Sequence, residues 1–430
     1  MEVLNDVSHN DFIKYAFIII AGCMLEMYDF VVYSFFAVGI AQLFFPEQSF
    51  FNSLLLSYGT FAIGYFTRPL GATFFGYLSD TKGRKVALIY SVLCMGIPIF
   101  LIGILPTYQT IGFFAPLLLL IFRTAQGLSL GGEISSAIAF FSEYSKENRR
   151  AFTTCWVFFG LNFGIVVASL FGTLIIKIFT HEQIMAGAWR ILFILGGVTA
   201  VIIYLMRKKL YETPKFTQLL RGHLTDSLPL LQVFKTYKKK LVMGFFIFCI
   251  VTTATATLFL FMPIYLYYYL NIKVETAYLL NTINLIIFTC LIPLIAILAD
   301  KFGRKPILII GIIALIFNCY PLFLLLTNPN HLLVLWALLS LGIPTAFLFA
   351  PIGAVLAELF STPVRTTGLG IVYNLNSALF LGLTPVLLLL LIKYTHSLQA
   401  PALYLIITGF LSLIATLFLK ESKDSTLDIN

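Results

Sequence analysis

The run Gly76-Tyr-Leu-Ser-Asp80-Thr-Lys-Gly83-Arg84-Lys85 returns 220 residues later as Ala296-Ile-Leu-Ala-Asp300-Lys-Phe-Gly303-Arg304-Lys305. Each copy is a short polar loop between two long apolar stretches, so the chain reads as two related halves. Apolar stretches of spanning length joined by matching charged loops form the pattern of an internally duplicated transporter, and no soluble fold asks for that combination.

Working outward from the loops, hydrophobic residues make up 60% of the chain, charged residues 11%, and 43 residues are Phe. A soluble core could not hide that much apolar surface, so lipid has to cover the rest. Cutting at the charged loops predicts twelve spanning helices, at about 15–40, 52–78, 86–105, 111–141, 152–178, 188–206, 241–270, 277–299, 306–326, 331–359, 366–392 and 399–419. The predicted fold is an all-α membrane protein of two six-helix bundles, 1–206 and 241–430, around a basic cytoplasmic linker at 207–240. The first stretch follows a polar segment with Glu2, Asp6 and Asp11, and is expected to be a retained span and not a cleaved signal. If both termini are cytoplasmic, cytoplasmic segments hold 22 of the 28 Lys and Arg, and external loops hold four: Lys177, Arg190, Lys273 and Lys393. That is the positive-inside orientation, so the net charge of +9 calls for anionic lipid contact and no nucleic acid. The six cysteines lie inside apolar stretches without Cys-x-x-Cys spacing, which predicts packing roles and neither a metal site nor disulfides.

Five ionisable residues fall well inside predicted spans: Glu26 and Asp29 in the first, Arg68 in the second, Arg123 and Glu133 in the fourth. Charges at membrane depth mark ion or substrate pathways. Glu26, Asp29 and Tyr33 share a helix face, as do Arg123, Gln126 and Glu133, and Tyr58, Tyr65 and Arg68 make a similar stripe. Three acids against two arginines leave one carboxylate without a full partner, and such a group can take up and release a proton. The pair on the first span, three residues apart, is the favoured carrier over Glu133, because two neighbouring charged acids repel. No histidine lies in mid-span, so proton coupling is assigned to carboxylates. There is no Gly-x-x-x-x-Gly-Lys-[Ser/Thr] loop for ATP and no nucleophile with a nearby base, which leaves an intramembrane enzyme as the weaker class. No cofactor is expected. The second half has only neutral polar groups in mid-span, among them Asn281, Tyr373 and Asn374. Prolines at 263, 293, 344, 351 and 385 release backbone hydrogen bonds there. In the fifth span, Gly160, Gly164, Ala168 and Gly172 form a ladder for close helix approach.

The duplicated loop also predicts a latch. Asp80 is expected at the start of the eleventh span near Arg365 and Thr366, and Asp300 at the start of the fifth near Arg150, where helix dipoles favour an anion. Glu143 precedes Arg150 as Glu358 precedes Arg365, seven residues apart, and both pairs are expected to join Arg84 and Arg304 in it.

The loop signature, with the whole chain around it, resembles the major facilitator superfamily. Within it, Glu26-Met-Tyr28-Asp29-Phe-Val-Val-Tyr33, Arg68-Pro-Leu-Gly-Ala, Arg123-Thr-Ala-Gln126-Gly-Leu-Ser-Leu-Gly-Gly-Glu133, Glu212-Thr-Pro214-Lys-Phe216 and Tyr373-Asn374 resemble the metabolite:proton symporter family. The chain departs from that family at Met27, usually Trp, and at Leu381-Gly382, usually Gly-Gly. The resemblance implies alternating access with inward proton movement, on a small polar metabolite in a bacterial inner membrane, and a monomer is the expected working unit. Proline, betaine, citrate, 2-oxoglutarate and shikimate are among the family's substrates. Two arginines facing three acids suit a zwitterion better than a di- or tricarboxylate. The candidate substrate contacts are Arg68, Arg123, Gln126, Tyr28, Tyr33, Tyr65, Tyr373, Asn374 and Asn281, and the candidate proton sites are Glu26, Asp29 and Glu133. The chain stops soon after the last span, so osmotic activation through a long C-terminal coiled coil is not expected.

Overall fold

Lipid offers the backbone no hydrogen-bond partner, so each apolar stretch has to satisfy its own N–H and C=O groups, and a helix does so. The computed structural model describes residues 9–46, 50–221, 229–423 and 427. Glu2, Asp6 and the side chains of Asp11 and Tyr58 lie outside the described residues.

Twelve long helices follow one another among the described residues, with shorter helical turns between them. They are α1 His9–Phe35, α2 Phe50–Lys82, α3 Arg84–Ile104, α4 Phe114–Tyr144, α5 Arg150–Ile178 and α6 Arg190–Arg207. The second set is α7 Lys238–Tyr269, α8 Val274–Phe302, α9 Arg304–Leu326, α10 His331–Glu358, α11 Thr362–Thr395 and α12 Ala400–Leu417. Eleven are long and apolar enough to cross a bilayer, and α2 is the twelfth, 33 residues long and interrupted by Arg68 and Asp80.

The chain forms two compact units: Met1–Phe140 with Gly160–Ser227, and Phe141–Phe159 with Leu228–Asn430. The end of α4 and the start of α5 thus belong to the second unit, which departs from a plain division by chain order. The basic linker is itself partly helical, at Pro214–Arg221 and Pro229–Thr236.

In the first unit α1 packs on α6, and α3 lies along α6. The small-residue ladder of α5 meets α1, where a Cβ on Gly164 would fall 2.2 Å from the Met24 carbonyl oxygen. The duplicated loops turn on the same backbone device: Gly83 (φ 116°) ends α2 and Gly303 (φ 108°) ends α8, a region of φ that glycine adopts freely. The helix that follows each turn is capped by a distant carboxylate. Glu212 accepts from the Arg84 and Lys85 N–H groups at 3.0 and 3.1 Å, and Glu421 from those of Arg304 and Lys305 at 3.1 and 3.0 Å.

In the second unit the prolines act through the turns around them. Pro263 has no N–H to give the Phe259 carbonyl one turn back, α7 widens into π-helical turns at Ala256–Phe261 and Tyr265–Tyr269, and Asn281 Nδ2 of α8 donates to that carbonyl at 3.0 Å.

Candidate functional site

One face of α1 carries Gly22, Glu26, Asp29 and Tyr33, and arginines from three other helices reach it. Arg68 Nη1 of α2 lies 3.4 Å from Glu26 Oε1. Arg123 Nη1 of α4 donates to Asp29 Oδ2 at 2.8 Å. Arg207, at the end of α6, donates from both terminal nitrogens to Glu133 of α4, one bond being 2.8 Å long. All six side chains are buried. Gly22 lets the third pair lie against α1, because a Cβ there would fall 1.8 Å from Arg207 Nη2 and 2.6 Å from Glu133 Oε1.

Three acids therefore face three arginines, and the count of two read from the sequence is corrected by Arg207. The sequence assigns Arg207 to the cytoplasmic linker because it opens the run Arg207-Lys208-Lys209. In the structure its side chain turns inward, where Glu133, the Leu88 carbonyl and the Ser91 hydroxyl receive its donors. The one available signal was residue type: an arginine heading two lysines suits a buried bidentate pair, which lysine cannot make. With each acid holding its own arginine, mutual repulsion of Glu26 and Asp29 no longer distinguishes the proton site.

Hydrogen bonding distinguishes it instead. Glu133 is bonded by Arg207 and by the Ser91 hydroxyl. Asp29 accepts from Arg123 through one oxygen, while Oδ1 accepts nothing from the chain. Neither oxygen of Glu26 accepts a hydrogen bond, and none of the three Arg68 nitrogens donates one. Arg68 lies instead over the rings of Phe30 and Tyr65, at 4.8 and 4.4 Å, and Arg123 over Tyr33 at 3.8 Å. Phe61 joins these rings, stacked on Tyr33 at 6.0 Å and 5.4 Å from Tyr65. The result is a buried, aromatic-lined cluster in which charges of both signs still have unused hydrogen-bonding capacity.

Gln126 of α4 is buried, with neither side-chain atom hydrogen-bonded to the chain. Tyr28 does not join the group: it leaves α1 on another face and donates to the Leu192 carbonyl of α6 at 3.0 Å. In the second unit Tyr373 packs on Phe248 at 5.2 Å, and Asn374 Nδ2 donates to Gly370 of its own helix at 2.8 Å. The amide nitrogen of Asn281 is held by Phe259, as above. Asn284, one turn further along α8, was not among the predicted contacts, yet it is buried with neither side-chain atom bonded to the chain.

The loop charges form a second group. Asp80 lies 3.1 Å from Arg84, and Asp300 lies 3.2 Å from Arg304. The Asp300 carboxylate also accepts from Ala151 N at 2.9 Å and Phe152 N at 2.8 Å, at the start of α5. Around it the glutamates and arginines pair crosswise within the second unit: Arg150 with Glu358, and Arg365 with Glu143 at 2.8 Å. Spacing within each half suggested Glu143 with Arg150 and Glu358 with Arg365, and the structure exchanges the partners.

A family model described as "Sugar (and other) transporter" matches residues 15–232, and one for the Major Facilitator Superfamily matches residues 244–428. The chain is similar to a citrate-proton symporter of Klebsiella pneumoniae, 31% identical over 93% of this chain and 90% of the relative. It is equally similar to a glycine betaine/proline/ectoine/pipecolic acid transporter of Dickeya dadantii, 32% identical over 94% of this chain and 83% of the relative. Among solved structures, a proton:xylose symporter superposes with a TM-score of 0.77 at 18% identity over 97% of both chains, which is a likeness of fold.

Proposed function

The chain belongs to the major facilitator superfamily, and from that premise we propose that it carries a small zwitterionic metabolite, of the proline or glycine betaine kind, inward with a proton across a bacterial inner membrane. The observation that supports a zwitterion is the pairing of Glu26, Asp29 and Glu133 with Arg68, Arg123 and Arg207, which leaves no surplus cation for a di- or tricarboxylate. Unused donors of Arg68 and Arg123 suit the substrate carboxylate, and the faces of Phe30, Tyr33 and Tyr65 suit its ammonium.

Coupling follows from competition for Arg68. A substrate carboxylate that takes the donors of Arg68 removes the cation paired with Glu26, and Glu26 then takes a proton. Release of the substrate returns Arg68 to Glu26 and frees the proton. The test is uptake into proteoliposomes under an imposed pH gradient, with labelled proline, glycine betaine, citrate and 2-oxoglutarate compared. Proline or betaine should accumulate and the carboxylates should not. Accumulation of citrate or 2-oxoglutarate alone, as the Klebsiella pneumoniae relative's name invites, would replace the zwitterion with an organic acid and keep the symport.

The loop charges are the latch of this cycle, which the crosswise pairs close and transport has to reopen. Glu143→Arg alone should remove most uptake, because it places two cations together in a buried site. The exchange Glu143→Arg with Arg365→Glu should restore at least about a third of it, as a buried pair broken on one side costs roughly 3–5 kcal/mol that a re-formed pair recovers. An exchanged protein that folds but stays as inactive as the single variant would refute the pairing as a working latch.

A further inference from the structure

In the second unit α7 and α12 lie side by side, clasped at two points. Ser412 Oγ accepts from Ile250 N at 3.1 Å and donates to the Phe246 carbonyl at 2.6 Å, so it replaces one rung of the α7 backbone ladder. The hydroxyls of Thr253 and Thr408 bond at 3.1 Å one turn further on. Toward the Lys238 end the two helices leave a groove of about 660 Å³, walled by Val242 and Phe246 of α7, by Ile414 of α12 and by Phe418 at its C-cap, with Lys238 and Lys239 lining the same groove.

The chemistry of this groove is split by position. Val242 and Ile414 are exposed, although they stand on membrane-spanning helices, and so is Phe418 at the end of α12, so the natural solvent of this wall is hydrocarbon. Lys238 and Lys239 open α7, whose first turn has no side-chain cap, so two ammonium groups and a helix N-terminus coincide at one end. Lys305 Nζ adds a third cation there, bonded at 2.7 Å to the Leu417 carbonyl beside Phe418. An occupant that satisfies both ends has an apolar chain and an anionic head.

We propose that this groove is a binding site for one anionic phospholipid, with an acyl chain along Val242, Phe246, Ile414 and Phe418 and its phosphate on Lys238 and Lys239. A zwitterionic headgroup is the weaker ligand, because it brings its own cation to the lysines. The site is separate from the paired charges of α1, and it does not depend on which metabolite is carried.

Native mass spectrometry of the full-length protein, titrated in detergent with phosphatidylglycerol or phosphatidylethanolamine of matched chains, tests it. The parent should hold one phosphatidylglycerol about tenfold more tightly than phosphatidylethanolamine, given the attraction of each lysine near an anionic surface. Lys238→Gln with Lys239→Gln should erase that preference, and Ala415→Trp, which fills the groove, should remove the bound lipid. The glutamine variant changes only exposed side chains, so it decides the matter even if the Trp variant fails to fold. Equal retention of both lipids by the parent, or a preference that survives neutralisation of the lysines, would overturn the proposal. So would a second copy of the chain in place of the lipid, seen as a dimer that Ala415→Trp dissociates.

Discussion

Glu26→Gln is expected to abolish pH-driven accumulation of substrate while exchange of labelled for unlabelled substrate continues. Glu26 sits 3.4 Å from Arg68 in a fully buried position, and neither of its oxygens accepts a hydrogen bond from the chain. It is thus the least held of the three acids, and glutamine keeps its size while removing its proton chemistry. One proton moved per substrate lets each unit of pH difference sustain about a tenfold concentration ratio, since a pH unit is worth about 1.36 kcal/mol. Across a gradient of two units the parent should approach a ratio of roughly a hundred, and Glu26→Gln should stay near one. Asp29→Asn is the internal comparison. Asp29 is hydrogen-bonded to Arg123 at 2.8 Å, so its loss should impair binding and exchange together. If Glu26→Gln accumulates substrate like the parent while Asp29→Asn exchanges without accumulating, the carrier is Asp29 and the competition for Arg68 is wrong.

The second large effect is on folding. Arg207→Leu strands Glu133, a buried carboxylate of α4 that lies against Gly22 of α1, and breaking a buried pair on one side costs roughly 3–5 kcal/mol. The variant should show a sharply lower thermal midpoint in detergent and poor yield from the membrane. Glu133→Leu with Arg207→Leu removes both charges and should recover most of the midpoint, because two apolar residues of similar size dispense with the desolvation cost. Lys208→Leu, one residue along and exposed, serves as control and should leave the midpoint unchanged. A double variant as unstable as Arg207→Leu would mean that Glu133 and Arg207 matter for packing against Gly22 and not for their charge.

Hydropathy and spacing carried the reading a long way. The duplicated Asp-x-x-Gly-Arg-Lys loops gave two halves, and apolar lengths gave twelve helices, because in lipid a backbone has almost no alternative to the helix. The buried face of α1 was legible too, since Glu26, Asp29 and Tyr33 recur at helical spacing whatever surrounds them. The fifth-span glycines signalled a close approach without saying to what, and the structure supplies α1.

The sequence alone determined the class of protein, its helices and five of the six buried charges grouped around α1, for these follow from properties read along a single chain. Tertiary structure decided which charges meet. Arg207 joins Glu133 although linear order puts it in a linker, Arg150 and Arg365 exchange glutamates, Tyr28 turns away to α6, and Asn281 fills the gap left by Pro263. Each of these depends on which helices become neighbours, and an ion pair or hydrogen bond forms only within a few ångströms, a distance that residue spacing along one helix does not encode between two.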